Sequence, residues 1–138
     1  MCPRRTLRRG ALAFALSCVV HAPAVAQSAE PASWQATPAS VLKNVLRAAS
    51  VAQVRYFQAQ HTYSTNLDSL GLKAERDVRV QIIAAGPRGW QARAVHVQQP
   101  GRSCVIFIGS VEGFESPTTD GDHEMAGEEG VPLCDRMR

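Results

Sequence analysis

Between Thr37 and His61 the chain reads TPASVLKNVLRAASVAQVRYFQAQH, and the apolar spacing of this stretch constrains the fold more than any other feature. Val41, Val45, Ala48, Ala49, Ala52 and Tyr56 recur three and four residues apart. Leu42, Leu46 and Ala49 widen that stripe, and Phe57 extends it at the far end. This is the repeat of a helix that buries one face. Lys43, Asn44, Arg47, Ser50, Arg55 and Gln58 take most of the remaining surface. Thr37 caps the start, and Pro38 suits the first helical position, where its missing N–H costs nothing. About 24 residues rising 1.5 Å each make a rod of roughly 36 Å. A rod with one apolar side requires a sheet or further helices against it.

The residues before this helix read as a targeting segment. Arg4, Arg5, Arg8 and Arg9 form a basic start, Ala11 to Val20 an apolar run, and Ala24-Val25-Ala26 a small-x-small cleavage site ahead of Gln27. The apolar run is about ten residues, whereas a stable span needs roughly 20. The expectation is a signal peptide over 1–26, removed on export, leaving no stable membrane anchor and a periplasmic or secreted product. Arg4-Arg5-Thr6-Leu7 faintly echoes a twin-arginine signal, but an ordinary Sec start explains it better. Cys18 follows Ala15-Leu16-Ser17, a poor lipobox. Residues 27–37, rich in Ala, Ser, Gln and Pro, read as a flexible leader, with Trp34 either folded back on the helix start or exposed.

Removal of the signal changes the charge argument. The 138-residue precursor has a formal charge of +3 from 15 Lys and Arg against 12 Asp and Glu. Four of those Arg leave with the signal, which contains no acid, so the mature chain is slightly acidic. It has no Lys/Arg run and no interleaving of aromatic and basic residues, which argues against a nucleic-acid partner. Two of the four cysteines, Cys2 and Cys18, leave as well. Cys104 and Cys134 then form an even pair in an exported chain, for which a disulfide is the default. It closes a loop of about 31 residues, worth roughly 3.5–4 kcal/mol by chain entropy.

After the helix, TYSTNLDSLGL combines turn formers with Leu67, Leu70 and Leu72 and reads as a short helical turn pinned to the core. Strand-like runs follow. Val78, Val80, Ile82 and Ala84 alternate with Arg79, Gln81, Ile83 and Ala85; Trp90, Ala92, Ala94 and His96 alternate with Gln91, Arg93, Val95 and Val97. Cys104 to Ile108 is continuously apolar, as in a well-buried strand. The turns at Gly86-Pro87-Arg88-Gly89 and Gln98-Gln99-Pro100-Gly101 are short enough to imply an antiparallel meander. Gly109 to Arg138 shows no periodicity and reads as an acidic loop. The fold class expected for residues 38–138 is α+β: a long helix packed on a three- to four-stranded antiparallel sheet, with a disulfide-closed C-terminal loop.

This order of features resembles the globular domain of type IV pilins and type II secretion pseudopilins. The residues that carry the resemblance are Ala52-Gln53-Val54-Arg55-Tyr56-Phe57, His61-Thr62-Tyr63-Ser64-Thr65, Leu67-Asp68-Ser69-Leu70-Gly71-Leu72, Gly89-Trp90-Gln91-Ala92-Arg93-Ala94-Val95-His96, and Gly101-Arg102-Ser103-Cys104. They span most of residues 38 to 134. The basic prepilin leader and the uninterrupted apolar half-helix with an early Glu have no counterpart, so the expectation is the head of such a subunit without its stalk. The resemblance implies protein partners in the cell envelope, with Arg79, Gln81, Gln91 and Arg93 and the acidic loop as contact surfaces.

The sharpest chemical signal is Asp120-Gly121-Asp122-His123-Glu124. Carboxylates of Asp120, Asp122 and Glu124 on a flexible loop suit calcium, and some pseudopilins hold calcium in a C-terminal loop; the run lacks the twelve-residue EF-hand pattern. The alternatives are a small calcium- or ligand-binding module and a merely solvated loop. His61 sits at the helix end, His96 on a strand, and His123 in the acidic loop. No nucleophile elbow, phosphate loop or dinucleotide fingerprint occurs, and no catalytic residue or cofactor is assigned. The functional expectation is a non-enzymatic protein in an accessory or structural role linked to a pilus or secretion apparatus.

Overall fold

The structure is a computed structural model that describes residues 36–73 and 75–137. The expected signal, Trp34 and nearly all of the leader lie outside the described residues. The elements are α1 (Pro38–Gln60), β1 (Val78–Gly86), β2 (Gly89–His96), β3 (Ser103–Gly109) and β4 (Leu133–Cys134). The four strands form one antiparallel sheet in sequence order, and α1 packs on one face of it. Among the described residues no helix is long and apolar enough to cross a membrane.

Local chemistry sets both ends of α1. The Thr37 hydroxyl accepts from the Ser40 N–H at 3.2 Å, and Pro38 occupies the first turn. At the other end His61 adopts a left-handed conformation (φ 55°) and its N–H donates to the Phe57 carbonyl. The buried line runs Leu42, Leu46, Ala49, Gln53. Val41, Val45, Ala52 and Tyr56 flank it half-buried, whereas Ala48 is exposed. The sequence stripe was therefore centred one residue too far round the helix, because a polar residue, Gln53, takes an inner position that the apolar pattern assigned to its neighbours.

Gln53 is fully buried and compensated. Its amide Nε2 donates to the Ser64 carbonyl at 2.7 Å, and its Oε1 accepts from the Ser64 N–H at 2.9 Å. One side chain thus satisfies both backbone groups of a residue in the connecting segment. Phe57 stacks on Tyr63 with centroids 4.7 Å apart, and the Tyr63 N–H donates to the Gly86 carbonyl. These contacts hold the chain against the sheet as it leaves the helix.

The core lies between α1 and the inner sheet face. Val78, Ile82, Trp90, Ala92, Ala94, Cys104 and Ile106 meet Leu42, Leu46 and Ala49 there. Small residues on β2 let the helix approach, and Trp90 fills the end beside Ile108. A register shift between Ile82 and Ala84 corrects the alternation expected for β1. Beyond that bulge Ala85 pairs with Trp90 and packs against the core, while Ala84 pairs with Gln91 on the outer face. An extra residue in one strand reverses which side every later side chain takes.

β2 and β3 approach closely at Gly89 and Gly109, which are cross-strand partners. A Cβ on Gly89 would stand 2.5 Å from the Ser110 nitrogen, and Gly109 has φ +61° with the Arg88 carbonyl against it, so both positions require glycine. The chain then crosses the outer face and returns as β4, where Cys134 pairs with Cys104 across the ladder and the two form a disulfide.

Candidate functional site

The outer sheet face is where the expected contact residues and the acidic loop come together. On β1 and β2, Arg79 and Gln81 pair with Val95 and Arg93. Arg79 and Gln81 are exposed, and Arg93 is half-buried. Gln91, expected on the contact surface, is instead buried at 5% exposure, and its amide donates to the Glu115 carbonyl at 3.0 Å. The reason is that the segment after β3 lies over this part of the sheet, which periodicity along β2 does not reveal.

That segment is held by a buried carboxylate that sequence reasoning missed. Asp135 is 3% exposed. Its Oδ2 accepts from the backbone N–H of Ser103 at 2.7 Å and of Gly121 at 2.9 Å, and its Oδ1 accepts from the N–H of Asp122 at 2.6 Å. The Thr119 hydroxyl donates to the same carboxylate. Burial by itself would raise the pKa of Asp135, but the N–H groups of Asp122, Ser103 and Gly121 and the Thr119 hydroxyl outweigh it and bring the value from the usual 3.8 to about 2. The Asp135 N–H also donates to the Ser103 carbonyl, so one residue fastens β3, the 119–122 turn and the C-terminus together. The available signal was its place directly after Cys134 in a chain whose loop is otherwise rich in exposed acids.

The acidic loop is folded by its own bonds. Thr119 donates its N–H to the Glu124 carbonyl and its hydroxyl accepts the Glu124 N–H; Thr118 and Met125 form an isolated antiparallel bridge. Asp120 pairs with Arg93 at 2.8 Å, and Arg93 also reaches Gln81 at 3.3 Å. Asp122 pairs with Arg102 at 2.6 Å. Its pKa is lowered, first by the Arg136 N–H that it accepts and then by Arg102. Glu124 is exposed. The two Asp carboxylates are thus directed to different arginines. Among the described residues, no three His, Cys, Asp or Glu side chains converge to hold a metal.

The histidines are dispersed. His61 ends α1; His96 is buried, its Nδ1 accepting from the Gln98 N–H; His123 is exposed with φ 55°. What the outer face offers is a shallow cleft of about 560 Å³ between the sheet and the C-terminal segment. Gln81, Ile83 and Arg93 form one side, with Glu115, Thr118 and Met125 opposite. Met125 is 57% exposed, and Phe114 and Val131 are also exposed on the same segment. In this cleft Arg93 is paired with Asp120 and Gln81, and Gln91 with the Glu115 carbonyl. No family model matches the chain, and no curated protein matches it.

Proposed function

We propose that this chain is an exported, non-enzymatic, pilin-like protein that works through protein contacts in the cell envelope, as a structural or accessory element linked to a pilus or type II secretion apparatus. The observation that supports this reading best is the architecture. One helix lies on the inner face of an antiparallel sheet, and a disulfide and a buried carboxylate fasten the C-terminal segment beside the outer face. That arrangement agrees with the expected head of such a subunit. Arg79 and Gln81 are exposed on β1, and Gln81, Arg93 and Met125 line the adjoining cleft, which supports a contact surface on this side.

In-cell photo-crosslinking tests the reading. A photoreactive residue is placed at Gln81 or Met125, and cells are fractionated after irradiation. The expected result is a discrete protein adduct in the envelope or medium fraction, weakened when the label is moved to Lys43 on the helix. Retention of the chain in the cytoplasm, or labelling that is diffuse from every position, overturns it.

A further inference from the structure

Asp120-Gly121 is the one place in the chain where an Asp or Asn precedes a glycine. Such a pair is chemically weak, because no side chain on the second residue hinders its backbone nitrogen from attacking the aspartate Cγ. Packing keeps the glycine in place. A Cβ at position 121 would stand 2.8 Å from the Arg102 Cδ and 3.0 Å from the Gly101 carbonyl oxygen. The turn therefore carries a reactive dipeptide that it cannot readily exchange for a safer one.

Both reacting groups are engaged elsewhere. The attacking nitrogen belongs to Gly121, and its N–H donates to the Asp135 Oδ2 at 2.9 Å. Attack requires that N–H to lose its proton, and a carboxylate facing it opposes the negative charge that would form. The carbon under attack belongs to Asp120, whose carboxylate pairs with Arg93 at 2.8 Å. The backbone is fixed on either side of the bond: the Asp120 N–H donates to the Ser103 hydroxyl at 2.8 Å, and the Asp122 N–H to the Asp135 Oδ1 at 2.6 Å. Ring closure requires the Asp120 side chain and the following peptide to turn together, and these four bonds resist it.

We propose that Asp120 is a latent isoaspartate site and that the Asp135 carboxylate is the positioning group that keeps it closed. When the turn opens, the Gly121 nitrogen gives up its proton and bonds to the Asp120 Cγ, and one carboxyl oxygen leaves as water. The product is a five-membered succinimide. Water then adds to one of the two ring carbonyls and the ring C–N bond breaks, which restores aspartate or leaves isoaspartate. Water lost in the first step is regained in the second, and no oxidant or cofactor takes part. In isoaspartate the main chain runs through the former side chain and is one carbon longer. That shifts the N–H groups of Gly121 and Asp122 away from Asp135, so an altered turn does not close again. The inference stands apart from the protein-contact reading, on which no outcome below bears.

The test is to hold the full chain, with its disulfide intact, at pH 7 and 37 °C and to follow isoaspartate at position 120 by peptide mapping with electron-transfer fragmentation. The same chain, reduced and unfolded in guanidinium chloride, should isomerise at least tenfold faster than the folded one. Asp135→Ala, shown to be folded by Trp90 fluorescence, should isomerise at least fivefold faster than the natural chain. Gln53→Leu weakens the fold at a distance from this turn and should stay within twofold of the natural chain. A measurement on the natural chain alone covers the case in which Asp135→Ala does not fold. In guanidinium below the unfolding transition, the isomerisation rate should rise in step with hydrogen exchange of the Gly121 amide rather than with exchange of the β2 amides. Equal rates in the folded and unfolded chains, an unchanged rate in folded Asp135→Ala, acceleration by Gln53→Leu as large as that by Asp135→Ala, or a rate that follows β2 exchange would each overturn the proposal.

Discussion

Replacing Asp135 with Asn probes the group that organises the outer face. Asp135 and Asn have nearly the same shape, but the carboxylate accepts from three backbone N–H groups at 2.6 to 2.9 Å and from the Thr119 hydroxyl. Asn keeps one acceptor oxygen. If that oxygen takes the place of Oδ2 and serves Ser103 and Gly121, the amide NH₂ faces the Asp122 N–H, donor against donor. Hydrogen bonds to a charged acceptor contribute about 1.5–3 kcal/mol each, and a buried N–H without a partner costs about 1–3 kcal/mol. The expected loss at pH 7 is therefore about 2–4 kcal/mol, measured by urea unfolding followed through the buried Trp90.

The pH dependence gives a second, independent number for the same group. The pKa of Asp135 falls from 3.8 to about 2 on folding. At about 1.4 kcal/mol per unit this corresponds to about 2 kcal/mol. Because the folded value is depressed, the contribution is complete above pH 3.8 and is lost as pH falls through about 2. The stability gap between the natural chain and Asp135→Asn should be constant from pH 7 to pH 5 and narrow by about 1–2 kcal/mol between pH 4 and pH 2. An identical urea midpoint at pH 7, or a gap that does not narrow in acid, refutes the reasoning.

Three further outcomes follow from the same contacts. Gln53→Leu should destabilise by about 2–4 kcal/mol despite its added apolar area, because both backbone groups of Ser64 lose their partner; thermal unfolding reads this directly. His61→Gly should raise stability by about 0.5–1 kcal/mol by relieving the left-handed conformation, and a lower melting temperature would contradict the assigned end of α1. Calcium at millimolar concentration should leave the melting temperature unchanged, since Asp120 and Asp122 are committed to Arg93 and Arg102; a calorimetric binding heat removed by Asp122→Asn would show a site formed by rearrangement.

What the sequence conveyed depended on whether the signal was local. Thr37, Pro38 and the 3–4 spacing locate α1, since capping and periodicity are properties of neighbouring residues. The turns around Pro87 and Pro100 separate the strands for the same reason, and the pairing of Cys104 with Cys134 needed only their number and the expected compartment. Features decided by distant contacts were harder to read. Gln53 looks like a surface residue until its partner, Ser64, is known. The bulge at Ile82 and Ala84 sends Ala85 inward without any glycine or proline to announce it. Gln91 obeys strand alternation, yet Glu115 covers it. Asp120 and Asp122 suggested ligands by spacing, whereas Asp135, the acid that binds the backbone of this loop, has no spacing to mark it.

The account depends most on the outer face being a fixed surface whose C-terminal segment is closed by the Cys104–Cys134 bond in the cell. Intact-mass measurement of the exported chain, alkylated under denaturing conditions without reductant, tests this most directly. The account predicts a product that begins at Gln27 and carries no alkyl group. A chain recovered with its signal in place, or with Cys104 and Cys134 both alkylated, would contradict it.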